Sequence, residues 1–215
     1  AYLDDYAFLV WGLIELYQTT YNPVYLEYAI RRNNEMIPLF WDDKNGGFFL
    51  YGKDSEKLVA RPKEVYDGAL PSGNSVAALN LIRLARLTGD TQLENIALEQ
   101  FHTFAKIVKS NPAAYTYFLM AAMFLLYPSQ EVIFVGNRAD ENMQEMIRVL
   151  HDSFLPHTVS LLHSEDNDGK QLEQLVSFIH EYKPIDDRSA AYICENFACQ
   201  SPVINPREFK KALKI

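Results

Sequence analysis

Two stretches of this chain carry the same helical pattern. Ala7-Phe-Leu-Val-Trp-Gly-Leu-Ile-Glu-Leu16 aligns with Ser75-Val-Ala-Ala-Leu-Asn-Leu-Ile-Arg-Leu84, and further on Tyr25-Leu-Glu27 aligns with Gln92-Leu-Glu94. Each copy is a strongly apolar helix followed by a more amphipathic one. A helix pair of that kind cannot bury its apolar face alone, so successive pairs must stack on one another. The repeat therefore predicts an array of helical hairpins, with the more apolar helices forming an inner layer and the amphipathic ones an outer layer.

The rest of the chain fits around that repeat. Phe8, Leu9, Trp11, Leu13, Ile14, Leu16 and Tyr17 fall on nearly all sides of a first helix that starts at Asp4 or Asp5, so it should be buried on more than one face. Asn22-Pro23 supplies a cap and a first-turn proline for a second helix, which Pro38 should kink or end. Asp42 to Gly47 is turn chemistry, and Phe48 to Tyr51 followed by Leu58-Val59-Ala60 reads as a short hairpin. Val76 to Leu87, Gln92 to Val108 and Ala113 to Leu126 give three further helices. After Tyr127-Pro128-Ser129 the pattern changes. Glu131 to Gly136, Thr158 to Leu162 and Ser189 to Cys194 read as strands, separated by helices over Asn142 to Phe154 and Gln171 to Tyr182, with a last helix after Asn205-Pro206. Strands alternating with helices predict a three-stranded parallel sheet with right-handed crossovers. The expected division is a helical array over residues 1–127 and a small α/β lobe over residues 128–215.

Charge narrows the partners. The net charge of -8 comes from 28 acidic against 20 basic residues without a basic run, which argues against nucleic acid. The longest apolar stretch, Phe118 to Leu126, is too short for a membrane span, so a soluble chain is expected. Cys194 and Cys199 are the only cysteines; they are too few for a disulfide framework, which points to a reducing compartment and a cytoplasmic location. Their spacing is neither a redox Cys-x-x-Cys nor half of a zinc site, so no metal is expected and both read as small buried apolar groups, with thiol exchange as the alternative. No cofactor motif is present.

The segment Arg61-Pro-Lys-Glu-Val-Tyr-Asp-Gly-Ala-Leu-Pro-Ser-Gly-Asn-Ser75 concentrates polar and charged groups on a loop that runs into a helix start, a place where binding and chemistry gather. Together with Leu3-Asp-Asp-Tyr-Ala-Phe8, Phe40-Trp-Asp42, Gly46-Gly-Phe-Phe49 and Tyr192-Ile-Cys-Glu-Asn-Phe-Ala-Cys-Gln200, it resembles the spermatogenesis-associated protein 20 (YyaL) family over essentially the whole chain. The resemblance implies the C-terminal portion of such a protein, with a thioredoxin-like domain and the remaining toroid helices upstream as partners. It also implies a mainly α fold: part of an (α/α) six-hairpin toroid similar to N-acylglucosamine 2-epimerase, followed by the α/β lobe. The fold analogy points to a carbohydrate-related enzyme or enzyme-like domain with a sugar ligand. The alternative is a non-catalytic client-binding module that works with the thioredoxin-like domain.

In such a ring the loops entering the inner helices open on one face. Asp5, Glu64 and Asp67 are then the candidate catalytic carboxylates, and Arg61, Tyr66, Ser72 and Asn74 the candidate substrate-binding groups, as acid and base catalysis on a glycosidic bond requires. A plainer account of the same residues has Asp5 and Asn74 capping helices, Asp67 satisfying loop amides, and Glu64 pairing with Arg61 or Lys63. The five histidines lie outside the loop, which weighs against epimerase chemistry from these residues.

Overall fold

Capping chemistry sets the first helix, α1 (Leu3–Thr20). Asp5 reaches back to accept the Tyr2 backbone N–H at 3.1 Å, one arm of a capping box, and Asp4 and Asp5 complement the positive end of the helix. Leu3, Ala7, Val10 and Ile14 form its buried face. Pro23 opens α2 (Pro23–Phe40), whose buried stripe is Leu26, Ala29, Asn33, Met36 and Phe40. Pro38 neither ends nor breaks the helix. It sits two residues from the C-terminus with an exposed side chain, and the next turn still closes through the Trp41 N–H to the Ile37 carbonyl at 2.9 Å.

The computed structural model describes residues 1–56, 60–195 and 198–215. They form two compact units: residues 1–15, 24–85 and 90–126 in one, and residues 16–23, 86–89 and 127–215 in the other. Among the described residues there are eight α-helices and a four-stranded sheet, so the chain is mainly helical.

α3 (Gly73–Thr88), of which residues 73–85 belong to the first unit, is buried at every position from 73 to 87. Gly73 is required there because a Cβ at that position would lie 2.3 Å from Asp4 Oδ1 and 2.9 Å from Leu3 Cγ. Asp90 caps α4 (Thr91–Ser110), which buries the single stripe Leu93, Ala97, Gln100, Phe104 and Val108. A 3-10 turn at Pro112–Ala114 precedes α5 (Thr116–Leu126), so the helix expected from Ala113 begins three residues later. Among the described residues, Phe48 and Tyr51 make only isolated bridges, to Trp41 and Tyr2. Leu58 and Val59, the expected partner strand, lie outside the described residues.

The sheet of the second unit departs from expectation. β1 (Gln130–Gly136) pairs in parallel with β2 (Thr158–Ser164), but β3 (Ala190–Glu195) runs antiparallel to β1 and β4 (Ala198–Cys199) adds a fourth strand, giving the order β2-β1-β3-β4. The cause lies between β2 and β3. The helix expected over Gln171 to Tyr182 is α7 (Asn167–Leu175) followed by a 3-10 turn at Ser177–Glu181. Ile185 and Arg188 then bridge through Asp186 and Asp187, both at positive φ (49° and 58°), a two-residue turn that reverses the chain ahead of β3. α6 (Glu141–His151) buries Met143, Met146 and Leu150, and Asn205 caps α8 (Pro206–Ala212).

The cysteines also correct the sequence reading. Cys194 is buried, but Cys199 is exposed, and the two form a disulfide across the β3–β4 pair rather than two small apolar side chains. Their facing positions in the ladder bring the sulfurs together.

Candidate functional site

The loop over residues 61–75 is held by its own polar groups. Asn74, wholly buried, accepts the Phe48 N–H at 2.9 Å through Oδ1 and donates through Nδ2 to the Phe48 carbonyl at 2.9 Å and the Glu64 carbonyl at 2.7 Å. Gln100 Nε2 adds a donor to the same Oδ1 at 2.9 Å. Asp67 divides its carboxylate between two elements: Oδ1 accepts the Ser72 N–H at 3.0 Å, and Oδ2 accepts the Tyr117 and Phe118 N–H groups at 2.8 and 3.1 Å. It thereby satisfies orphan donors in the first turn of α5 from a distant point in the chain. The Ser72 Oγ caps α3 through the Ser75 N–H at 3.1 Å. Arg61 lies 4.1 Å over the Phe49 ring and donates to the Leu39 and Tyr51 carbonyls. Lys63 pairs with Asp42 at 2.7 Å rather than with Glu64. Its ammonium, helped by the Asn45 amide and the Lys44 N–H, holds the Asp42 carboxyl well below the usual range.

Three of the candidate residues, Asp5, Glu64 and Tyr66, are exposed. Tyr66 is 56% exposed, with its ring edge-on to Tyr115 at 6.3 Å, and the Glu64 side chain is exposed. Glu64 and Asp5 both act on Asp4. Partial burial, then the Glu64 charge, then that of Asp5 raise the Asp4 carboxyl above its ordinary value, against a lowering hydrogen bond from the Gly73 N–H.

A second constellation in the same unit escaped the sequence reading. Glu15 and Arg83 occupy equivalent positions in the two repeats and meet at 2.6 Å, with the arginine side chain 10% exposed and the carboxylate 53% exposed. Trp11, one turn before Glu15, donates its indole N–H to the same Oε1 at 2.9 Å. The Trp11 ring lies 5.4 Å from that of Tyr117 and 6.0 Å from that of Phe8. Burial pushes the Tyr117 phenol up to about 12, with Arg83 opposing and Glu15 and Asp67 reinforcing, so the hydroxyl stays protonated at neutral pH. The signal was available in the repeat: Leu-Ile-Glu-Leu and Leu-Ile-Arg-Leu each place a charge among apolar neighbours at the same repeat position, and a buried arginine needs a partner.

Elsewhere in this unit an apolar groove of about 240 Å³ runs between α4 and α5, lined by Leu98, Phe101, His102, Phe118, Leu119 and Leu125 among others. It meets the loop constellation at Phe118, whose backbone N–H bonds to Asp67, and shares no residue with the Glu15–Arg83 pair or its rings. Among the described residues no group of three or more His, Cys, Asp or Glu could hold a metal ion. No described helix is long and apolar enough to cross a membrane.

Comparison with known proteins agrees with the motifs. The chain is 30% identical over 213 residues to spermatogenesis-associated protein 20 of Homo sapiens, with 99% of this chain aligned. It resembles spermatogenesis-associated protein 20 along nearly its whole length. The Rattus norvegicus spermatogenesis-associated protein 20 is likewise 30% identical over 213 residues, and an uncharacterised protein of Caenorhabditis elegans is 28% identical over 205 residues, or 94% of this chain. The chain spans about 27% of the length of each of these relatives. No family model matches it.

Proposed function

We propose that this chain is a carbohydrate-related enzyme or enzyme-like domain that binds a sugar against Trp11 and Tyr117. The observation that carries the reading is the pair of rings 5.4 Å apart beside a half-exposed carboxylate, Glu15, fixed by the Trp11 N–H and the Arg83 guanidinium. Sugar rings present C–H faces that pack on aromatic rings and hydroxyls that bridge a carboxylate and a cation, and sites of this kind join apolar walls to a few oriented polar groups. Asp67, Asn74, Ser72 and Arg61 act in this reading as the frame that holds the loop. A partial six-hairpin toroid is the architecture that the helical repeat and the likeness to spermatogenesis-associated protein 20 favour.

The second reading is a client-binding module that acts with a thioredoxin-like domain. It is favoured by the engagement of Asp67 and Asn74 in hydrogen bonds to backbone and to Gln100, which commits both side chains to holding the loop. A thermal-shift screen against neutral sugars, sugar acids and sugar phosphates, run on the wild type and on Glu15→Gln, separates the two. Stabilisation by one sugar class that is lost in the variant supports the first. Equal melting temperatures with every sugar reject it.

A further inference from the structure

The disulfide between Cys194 and Cys199 joins residues only five apart in sequence, in strands that already face each other in register. Closing so short a loop removes little freedom from the unfolded chain, so this bond contributes less to stability than a disulfide closing a long loop. The Gln200 N–H to the Ile193 carbonyl, at 2.9 Å, holds the same hairpin without it. The two sulfurs are unlike in access: Cys194 is 1% exposed, whereas Cys199 lies on the exposed strand β4. One hydroxyl touches both. Tyr182 Oη lies 3.3 Å from Cys199 Sγ and 3.8 Å from Cys194 Sγ. Its ring is fixed 5.0 Å from that of Tyr192, whose own hydroxyl is anchored on the Lys183 carbonyl at 2.8 Å.

We propose that the Cys194–Cys199 bond is a thiol–disulfide exchange site that oxidises dithiols, with Cys199 as the attacked sulfur, Cys194 as the leaving sulfur and Tyr182 as the donor that receives it. A thiolate of the dithiol attacks Cys199 Sγ, forming a mixed disulfide and breaking the Sγ–Sγ bond. The electron pair goes to Cys194 Sγ, which takes the Tyr182 hydrogen bond and then a proton from solvent. The second thiol, as its thiolate, attacks the dithiol's own sulfur in the mixed disulfide and releases Cys199. The dithiol loses two electrons and two protons to become a disulfide, and the protein gains them as two thiols. Attack at the buried sulfur is blocked, which sets the direction. Burial, reinforced by the Glu181 and Glu131 charges, raises the Tyr182 phenol, so it remains a donor through the neutral range.

The test uses the oxidised chain in native buffer. It is incubated with reduced glutathione, dithiothreitol or a protein Cys-x-x-Cys dithiol, then alkylated and mapped by mass spectrometry. The proposal expects reduction without denaturant, and, when the single-cysteine variants are incubated instead with oxidised glutathione, whose disulfide the free thiolate attacks with release of one reduced glutathione, an adduct at Cys199 in Cys194→Ser and none at Cys194 in Cys199→Ser. Tyr182→Phe should slow reduction about tenfold, the loss of one hydrogen bond to the leaving group, without moving the melting temperature of the oxidised form. Faster reduction by the protein dithiol than by dithiothreitol assigns a protein source, and the reverse assigns a small thiol. Reduction only in denaturant, equal adducts at both sulfurs, or two free thiols in the air-oxidised chain would overturn the exchange site, and an unchanged rate in Tyr182→Phe would overturn the assigned donor.

Discussion

Replacing Asn74 by Leu tests the claim that the loop over residues 61–75 is held from within. The substitution keeps the volume nearly constant but removes the partner of three groups, the Phe48 N–H and carbonyl and the Glu64 carbonyl, and one of the two acceptors of the Gln100 amide, which keeps the residue 74 carbonyl. Asn74 is wholly buried, so water cannot replace it without opening the structure. Each buried group left unpaired costs about 1–3 kcal/mol. Because the three share one site and relax together, the sum is taken at the low end, about 3 kcal/mol. For a chain of 215 residues that is a fall in melting temperature of roughly 6–12 °C. Urea denaturation followed by far-UV circular dichroism reads the free energy. Near-UV circular dichroism, which senses Trp41 and Phe48 packed edge-on at 4.9 Å, reads the loop. Adding Gln100→Leu to Asn74→Leu should cost less than the sum of the two, because the Gln100 amide has already lost one of its partners. A loss below about 1 kcal/mol, within the usual range for surface changes, would refute the reasoning.

Asn33 is the converse case: it is wholly buried in the α2 stripe, and among the described residues neither end of its amide finds a partner. Asn33→Leu should therefore stabilise the fold by about 1–2 kcal/mol, read as a higher urea midpoint at unchanged slope. Asp42, held below its ordinary range by Lys63, is proton-poor in the folded state, so its contribution is present above the unfolded value of about 4 and lost as pH falls through and below it. Asp42→Asn should flatten that acid limb in a series of urea midpoints taken at falling pH, whereas an unchanged slope removes the assignment. At the end of β1, Gly136 has φ 125° and a Cβ there would lie 2.9 Å from Ser189 Cα. Gly136→Ala should cost about 1–3 kcal/mol, measured by thermal denaturation, while Gly12→Ala, where nothing lies within 4 Å, should stabilise by up to about 1 kcal/mol.

Helical grammar was legible because it is local. Asn22-Pro23 opens α2, Asp90 caps α4, and the stripes of α2 and α4 follow the period of 3.6 residues. The sheet was harder because strand direction depends on the whole crossover. The turn at Asp186 and Asp187, which reverses the chain before β3, carries no glycine or proline to announce it. The disulfide was missed for a related reason: β4 has two residues, too few for a periodic pattern, and only its register opposite β3 brings Cys199 to Cys194. At the loop, residue types pointed to a polar cluster, but types do not say which oxygen meets which backbone donor. Asp67 looks the same in sequence whether it faces solvent or the α5 amides. The Glu15 and Arg83 pair needed the repeat to be read for its exceptions as well as for its apolar positions.

The most direct test of a sugar site at Trp11 is tryptophan fluorescence in a Trp41→Phe background, because Trp11 and Trp41 are the chain's only tryptophans. Titration with the sugar class that gives the largest thermal shift should produce a saturable change in Trp11 emission. That change should weaken at least tenfold in affinity in Arg83→Met and in Glu15→Gln, the loss of about 1.4 kcal/mol. A flat titration with every sugar class, with Trp11 emission still that of a folded, partly buried indole, would contradict the account.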